Sequence, residues 1–136
     1  MPSYREVMTM SKEFLARAET EVEKLKGDYD KHLLGEVSAV GQLLRIGEVE
    51  RAQIILYSLK STAKSFGWPQ LSEIADMLWR VLSVLPPEKD INRITFPFYD
   101  ALDLLIREQR EGQDRRGKEL VTNLRELKTK YIQSWG

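Results

Sequence analysis

Between Val49 and Gly67 one helix carries two lines of residues, and together they restrict what the chain can fold into. Val49, Ala52, Ile55, Leu56, Leu59, Ala63 and Phe66 recur at three- and four-residue steps, the spacing of a helix with one buried stripe. Gln53, Tyr57, Lys60, Ser61 and Lys64 recur at the same steps and fall roughly opposite the first line. Gly67 is a natural helix stop, with Trp68-Pro69 just beyond it. Such a helix must pack against others along one side while keeping a polar stripe, with a tyrosine beside two lysines, on the surface.

The flanking segments follow the same rule. Ser3 to Lys26 reads as a first helix, with Val7, Met10, Phe14, Ala18, Val22 and Leu25 at helical steps and a capping box formed by Ser3 and Glu6. Gly27-Asp28 reads as a break. A second helix is expected from about Asp30 to Ile46, with Leu33, Leu34, Val37, Val40, Leu43 and Leu44 inward, and Gly47 ends it. Beyond the central helix, Gln70 to Leu85 places Leu71, Ile74, Ala75, Leu78, Leu82 and Leu85 on one stripe, and Pro86-Pro87 stops it. Asp90 to Arg110 is helical, with Pro97 marking either its true beginning or a kink. Glu108 to Lys118 is densely charged, contains Gly112 and Gly117, and reads as a solvated turn. A last helix from about Arg116 to Trp135 lines up Leu120, Leu124, Leu127 and Tyr131. No segment alternates with period two. The expected fold is all-α, an antiparallel helical bundle forming a single domain over residues 1–136.

Composition narrows the functions. At 136 residues the chain buries a core without disulfides or metal. It has 21 basic and 21 acidic residues, which gives no electrostatic case for nucleic acid or an anionic membrane as partner. The absence of cysteine fits a reducing compartment, and with one histidine a soft-metal site is not expected. Met1 to Lys12 lacks the apolar core of a signal peptide, and no apolar run approaches the roughly 20 residues of a membrane span. A cytoplasmic location is expected, with no cofactor.

The central stretch resembles the histidine phosphotransfer (HPt) family, which includes the phosphotransfer domain of chemotaxis kinases. That family's central helix reads His-x-Leu-Lys-Gly-x-Ala, followed by a Gly and then a Leu at four-residue steps. The corresponding residues here are Tyr57, Leu59, Lys60, Ser61, Ala63, Gly67 and Leu71. Gly47-Glu48 before the helix and Leu71 to Ala75 after it are similar to the family's flanks, so the likeness covers about 40 residues. It implies a four-helix core with additional terminal helices. It also implies an exposed mid-helix residue at the position that takes a phosphoryl group from an aspartyl phosphate on a response-regulator receiver domain.

At that position the chain has Tyr57. An imidazole nitrogen forms a high-energy phosphoramidate and so relays phosphate in both directions, whereas a phenol hydroxyl forms a far more stable ester. The resemblance therefore implies a pseudo-HPt protein that is not an enzyme. It docks a receiver domain or a histidine kinase without relaying phosphate. Lys60 matches the family's lysine, which positions phosphate charge. Ser61 replaces the family's glycine and adds a little bulk where a receiver would approach. The expected docking stripe is Gln53, Tyr57, Lys60, Ser61 and Lys64, with no catalytic and no metal-binding residue. Two other readings stand beside it. One is a helical scaffold or oligomerisation module with a different kind of partner. The other is an active relay through His32, whose surroundings lack the family's lysine and alanine spacing. Trp68, Trp79 and Trp135 read as packing residues.

Overall fold

The computed structural model describes residues 3–135, with the side chains of 109–114 outside that description. Among these residues there is no strand. Five α-helices follow in order: α1 (Tyr4–Arg45), α2 (Val49–Thr62), α3 (Pro69–Val84), α4 (Ile91–Gly112) and α5 (Lys118–Trp135). A 3-10 turn (Ala63–Phe66) extends α2, and a π-helical turn (Gln113–Gly117) separates α4 from α5. The fold is an all-α helical bundle.

The chain divides into two compact units, Met1–His32 and Leu33–Gly136. The described part of the first is helical from Tyr4 onward and fully on the surface to Asp28. Its start is capped as the sequence predicts: the Glu6 N–H donates to Ser3 Oγ (3.2 Å) and the Ser3 N–H donates to a Glu6 carboxylate oxygen (3.3 Å).

The second unit holds the core. Leu33, Val37, Val40 and Leu44 of α1 are buried there, with Ala52, Leu56, Leu59 and Ala63 of the central helix and its 3-10 extension. From α3 come Leu71, Ile74, Ala75, Met77, Leu78, Val81 and Leu82, from α4 Phe98, Ala101, Leu102 and Leu105, and from α5 Val121 and Leu124. α2 and α3 run antiparallel, as their cross-contacts show: Gln53 reaches Ser83, Tyr57 meets Trp79 and Lys60 meets Asp76, one chain index rising as the other falls.

Both tight connections use a left-handed glycine. Gly47 has φ +78° and Gly67 φ +90°. After each, the next N–H reaches back to close the helix end: Glu48 N–H to Leu43 O (2.9 Å) and Trp68 N–H to Ala63 O (2.9 Å). Pro69 begins α3, where a missing N–H costs little.

Three local expectations are corrected, and one open choice is decided. There is no break at Gly27-Asp28, because α1 is one helix of 42 residues that continues through Gly27, Gly35 and Gly41. Each glycine costs about 1 kcal/mol relative to Ala, which a long run of good helix formers absorbs. The whole apolar stripe read on the first helix, Val7, Met10, Phe14, Ala18, Val22 and Leu25, is exposed, as is Leu34 of the set expected inward on the second. α4 begins at Ile91, next to the expected Asp90, so of the two alternatives at Pro97 a beginning there is ruled out. The Asp90 side chain accepts from the Asn92 and Arg93 N–H groups at the helix start. Finally, the backbone of the charged stretch is helical and not a turn: α4 runs to Gly112 and a π-helical turn leads into α5. The solvation expected of residues 109–114 lies outside the described residues.

Two glycines of α1 in the second unit give a direct test of packing. A Cβ on Gly35 meets nothing within 4 Å, whereas one on Gly41 would lie 2.4 Å from Tyr99 Cζ. Gly35→Ala is expected to stabilise the bundle by about 0.5–1 kcal/mol through helix propensity alone. Gly41→Ala forces the Tyr99 ring aside and is expected to destabilise it by about 1 kcal/mol net of that gain. Thermal melts of the two variants should therefore move in opposite directions.

Candidate functional site

The polar stripe of α2 does not lie evenly in solvent, because α3 takes up one edge of it. Gln53 is half-buried and donates from Nε2 to Ser83 Oγ (2.9 Å) and, at longer range, to Trp79 O (3.4 Å). Ser61 is exposed and donates its hydroxyl to Tyr57 O four residues back (2.8 Å). Tyr57, in the middle of α2, is 55% exposed. Its ring meets Trp79 of α3 at 6.3 Å between centroids and a tilt of 58°.

Lys60 joins these parts. Its Nζ lies 5.0 Å from the Tyr57 ring centroid and 4.6 Å from that of Trp79, between two aromatic faces. The same nitrogen sits 3.1 Å from Asp76 Oδ1, while Arg80 Nε sits 3.0 Å from Asp76 Oδ2. Burial raises the Asp76 carboxyl, but the hydrogen bonds and charges of Arg80 and Lys60 outweigh it and hold the group below its ordinary range. Lys64, by contrast, is exposed and makes no ion pair among the described residues.

The backbone under this cluster is also tied across the seam. Ser72 is buried at the start of α3, and its hydroxyl donates to Lys60 O (2.6 Å). This bond pins the end of α2 at the point where it tightens into the 3-10 turn. Beside it lies an open groove of about 300 Å³ lined by Lys60, Ser61, Lys64, Pro69, Ser72, Glu73 and Asp76. On the other side of Tyr57, a second shallow cleft is lined by Glu50, Gln53, Ile54, Tyr57 and Trp79, with Ile54 71% exposed.

All five residues of the expected stripe thus sit on one face, but their roles divide. Ser61 and Lys64 face solvent, Gln53 and Lys60 are engaged with α3, and Tyr57 does both, exposed yet with its ring against Trp79. Sequence reasoning missed Asp76, Arg80 and Ser72, and it assigned Trp79 to packing alone. The four-residue spacing of Asp76 and Arg80 was a readable sign of an ion pair. His32, 25 positions before Tyr57 in the chain, is on α1 with its ring 6.2 Å from that of Tyr29. Among the described residues, no group of three or more His, Cys, Asp or Glu side chains is placed to hold a metal ion. Among the same described residues, no helix is long and apolar enough to cross a membrane. The chain matches no family model, no curated protein and no solved structure.

The Asp76 cluster has a defined acid dependence. A carboxyl held lower in the folded than in the unfolded state contributes stability that is present above its unfolded pKa of about 3.9 and lost as pH falls through the folded value. Asp76→Asn should therefore lower the melting temperature at neutral pH and narrow its distance from the parent protein as pH falls from about 5 to 2. Melts across that range check it.

Proposed function

We propose that the protein is a pseudo-HPt module that binds a response-regulator receiver domain, or the histidine kinase that feeds one, through the outer face of α2 and α3 without relaying phosphate. The observation that carries the reading is Tyr57: the side chain at the motif's phosphoacceptor position is exposed at mid-helix on a bundle, beside Lys60, Ser61 and Lys64 in the motif's order. A tyrosine there keeps a large contact surface and removes the nitrogen that reversible transfer requires.

The local chemistry suits binding. Ile54, Tyr57 and Trp79 make an apolar and aromatic patch of the kind that anchors protein interfaces. Around the adjoining groove, Lys60, Lys64, Arg80 and Arg125 outnumber the carboxylates Asp76 and Glu73, to which three of them are paired. The surplus positive charge complements the acidic pocket of a receiver, and association with it weakens as salt rises. Lys64 supplies the outward charge, while Lys60 braces the two rings.

The test mixes the protein with phosphorylated receiver domains from its own source and follows both complex formation and label transfer. Binding without label is expected. Tyr57→Ala should weaken it on the order of 10-fold as the loss of an aromatic anchor. Lys64→Glu should weaken it about 5-fold or more at low salt and less at high salt. Acid-labile label that disappears in His32→Ala would make the protein an active relay instead. Neither binding nor label across the full set of receivers would leave a helical scaffold with a different partner.

A further inference from the structure

We propose that residues 4–25 of α1 are a self-association helix that pairs antiparallel with the same segment of a second copy, centred between Phe14 and Leu15. This does not rest on the receiver-docking reading, since it concerns only the Met1–His32 unit.

The first observation is exposure. Tyr4 is 81% exposed, Val7 46%, Phe14 68%, Leu15 58%, Val22 50% and Leu25 59%. At 100° per residue, Tyr4, Val7, Ser11, Phe14, Leu15, Ala18, Val22 and Leu25 all fall within an arc of about 100° along about 33 Å of helix. The large apolar members present on the order of 700 Å² per copy, close to the half-interface of about 800 Å² in a standard complex. A stripe of this size is beyond the apolar patch that most monomers expose.

The second observation selects the occupant. The spacing of the stripe reads the same in both directions: 4, 7, 11, 14, 15, 18, 22, 25. Turned end for end, the helix sets Tyr4 against Leu25, Val7 against Val22, Ser11 against Ala18 and Phe14 against Leu15. Every stripe residue meets another, and the two small residues let the backbones approach on either side of the central Phe-Leu pairs. The flanking charges obey the same symmetry. Arg5, Lys12, Glu19 and Glu23 lie on one edge of the stripe, and antiparallel pairing brings that edge against its own copy. Arg5 then falls beside Glu23 and Lys12 beside Glu19 of the second copy. A parallel in-register pair keeps Arg5 and Glu23 about 27 Å apart. The paired segment ends before Leu33, where the core of the second unit begins.

The test uses the full chain, in which introduced cysteines are the only thiols because the sequence has none. Sedimentation equilibrium should give twice the chain mass, and Phe14→Glu combined with Leu15→Glu should return it to one chain with the bundle's thermal melt retained. Under mild oxidation, a mixture of Ser11→Cys and Ala18→Cys proteins should form a mixed disulfide dimer, while neither variant should cross-link alone. In the antiparallel register the two Ser11 positions sit about 10 Å apart along the axis, beyond disulfide reach. A single-chain mass at every concentration would overturn the proposal. So would cross-linking of Ser11→Cys with itself, which reports parallel pairing.

Discussion

The site depends on the antiparallel seam between α2 and α3. Leu56, Leu59 and Ala63 from one side and Leu71, Ile74, Ala75 and Leu78 from the other are all buried. Removing such side chains from water stabilises the pair by roughly 1.5–3 kcal/mol for each large residue. The apolar seam sets a register, and that register puts Tyr57 against Trp79, Lys60 against Asp76 and Gln53 against Ser83. Polar contacts at the rim then add direction to what burial has already aligned. Ser72 closes the seam by giving its hydroxyl to the Lys60 carbonyl. The exposed face of α2 is therefore a consequence of the buried one.

Within that frame Lys60 illustrates how one side chain changes meaning with context. On an isolated helix it is a free cation, ready to meet an incoming phosphate. Against α3 it lies between two rings and holds a carboxylate that Arg80 also holds. Its charge is spent inside the protein, and what it offers outward is a rigid aromatic platform. Lys64, one turn on, keeps its charge for solvent. On the proposed reading, this face grips a partner and does not move a phosphoryl group.

The helical class and the stripes of α2 and α3 were legible because local periodicity encodes them: one strongly amphipathic pattern, one glycine stop and one proline start. The continuity of α1 was not. Gly27 weakens a helix by an amount that capping at Ser3 and runs of Ala, Glu, Lys and Leu exceed, so a local rule pointed to a break where a sum of small terms gave none. The extent of α4 from Asp90 was legible too, but the sequence leaves open whether Pro97 begins the helix or lies inside it, and the Asp90 cap places the start ahead of it. The stripe residues of the candidate site were legible from their spacing. The contacts of Asp76 and Ser72 with Lys60 were not, because pairing across a seam depends on a register that no single helix specifies, whereas the Asp76–Arg80 pair within α3 had a readable spacing.

The central claim is that the outer face of α2 and α3 is a docking surface, and residue-resolved NMR tests it most directly. A receiver domain titrated onto the nitrogen-15-labelled protein should shift the amides of Gln53, Ile54, Tyr57, Ser61 and Lys64 together with the Trp79 indole. Residues of α4, and of α5 away from Arg125, should stay unperturbed. Shifts confined to other helices, or none at saturating receiver, would contradict the account and remove the face from consideration as a receiver site.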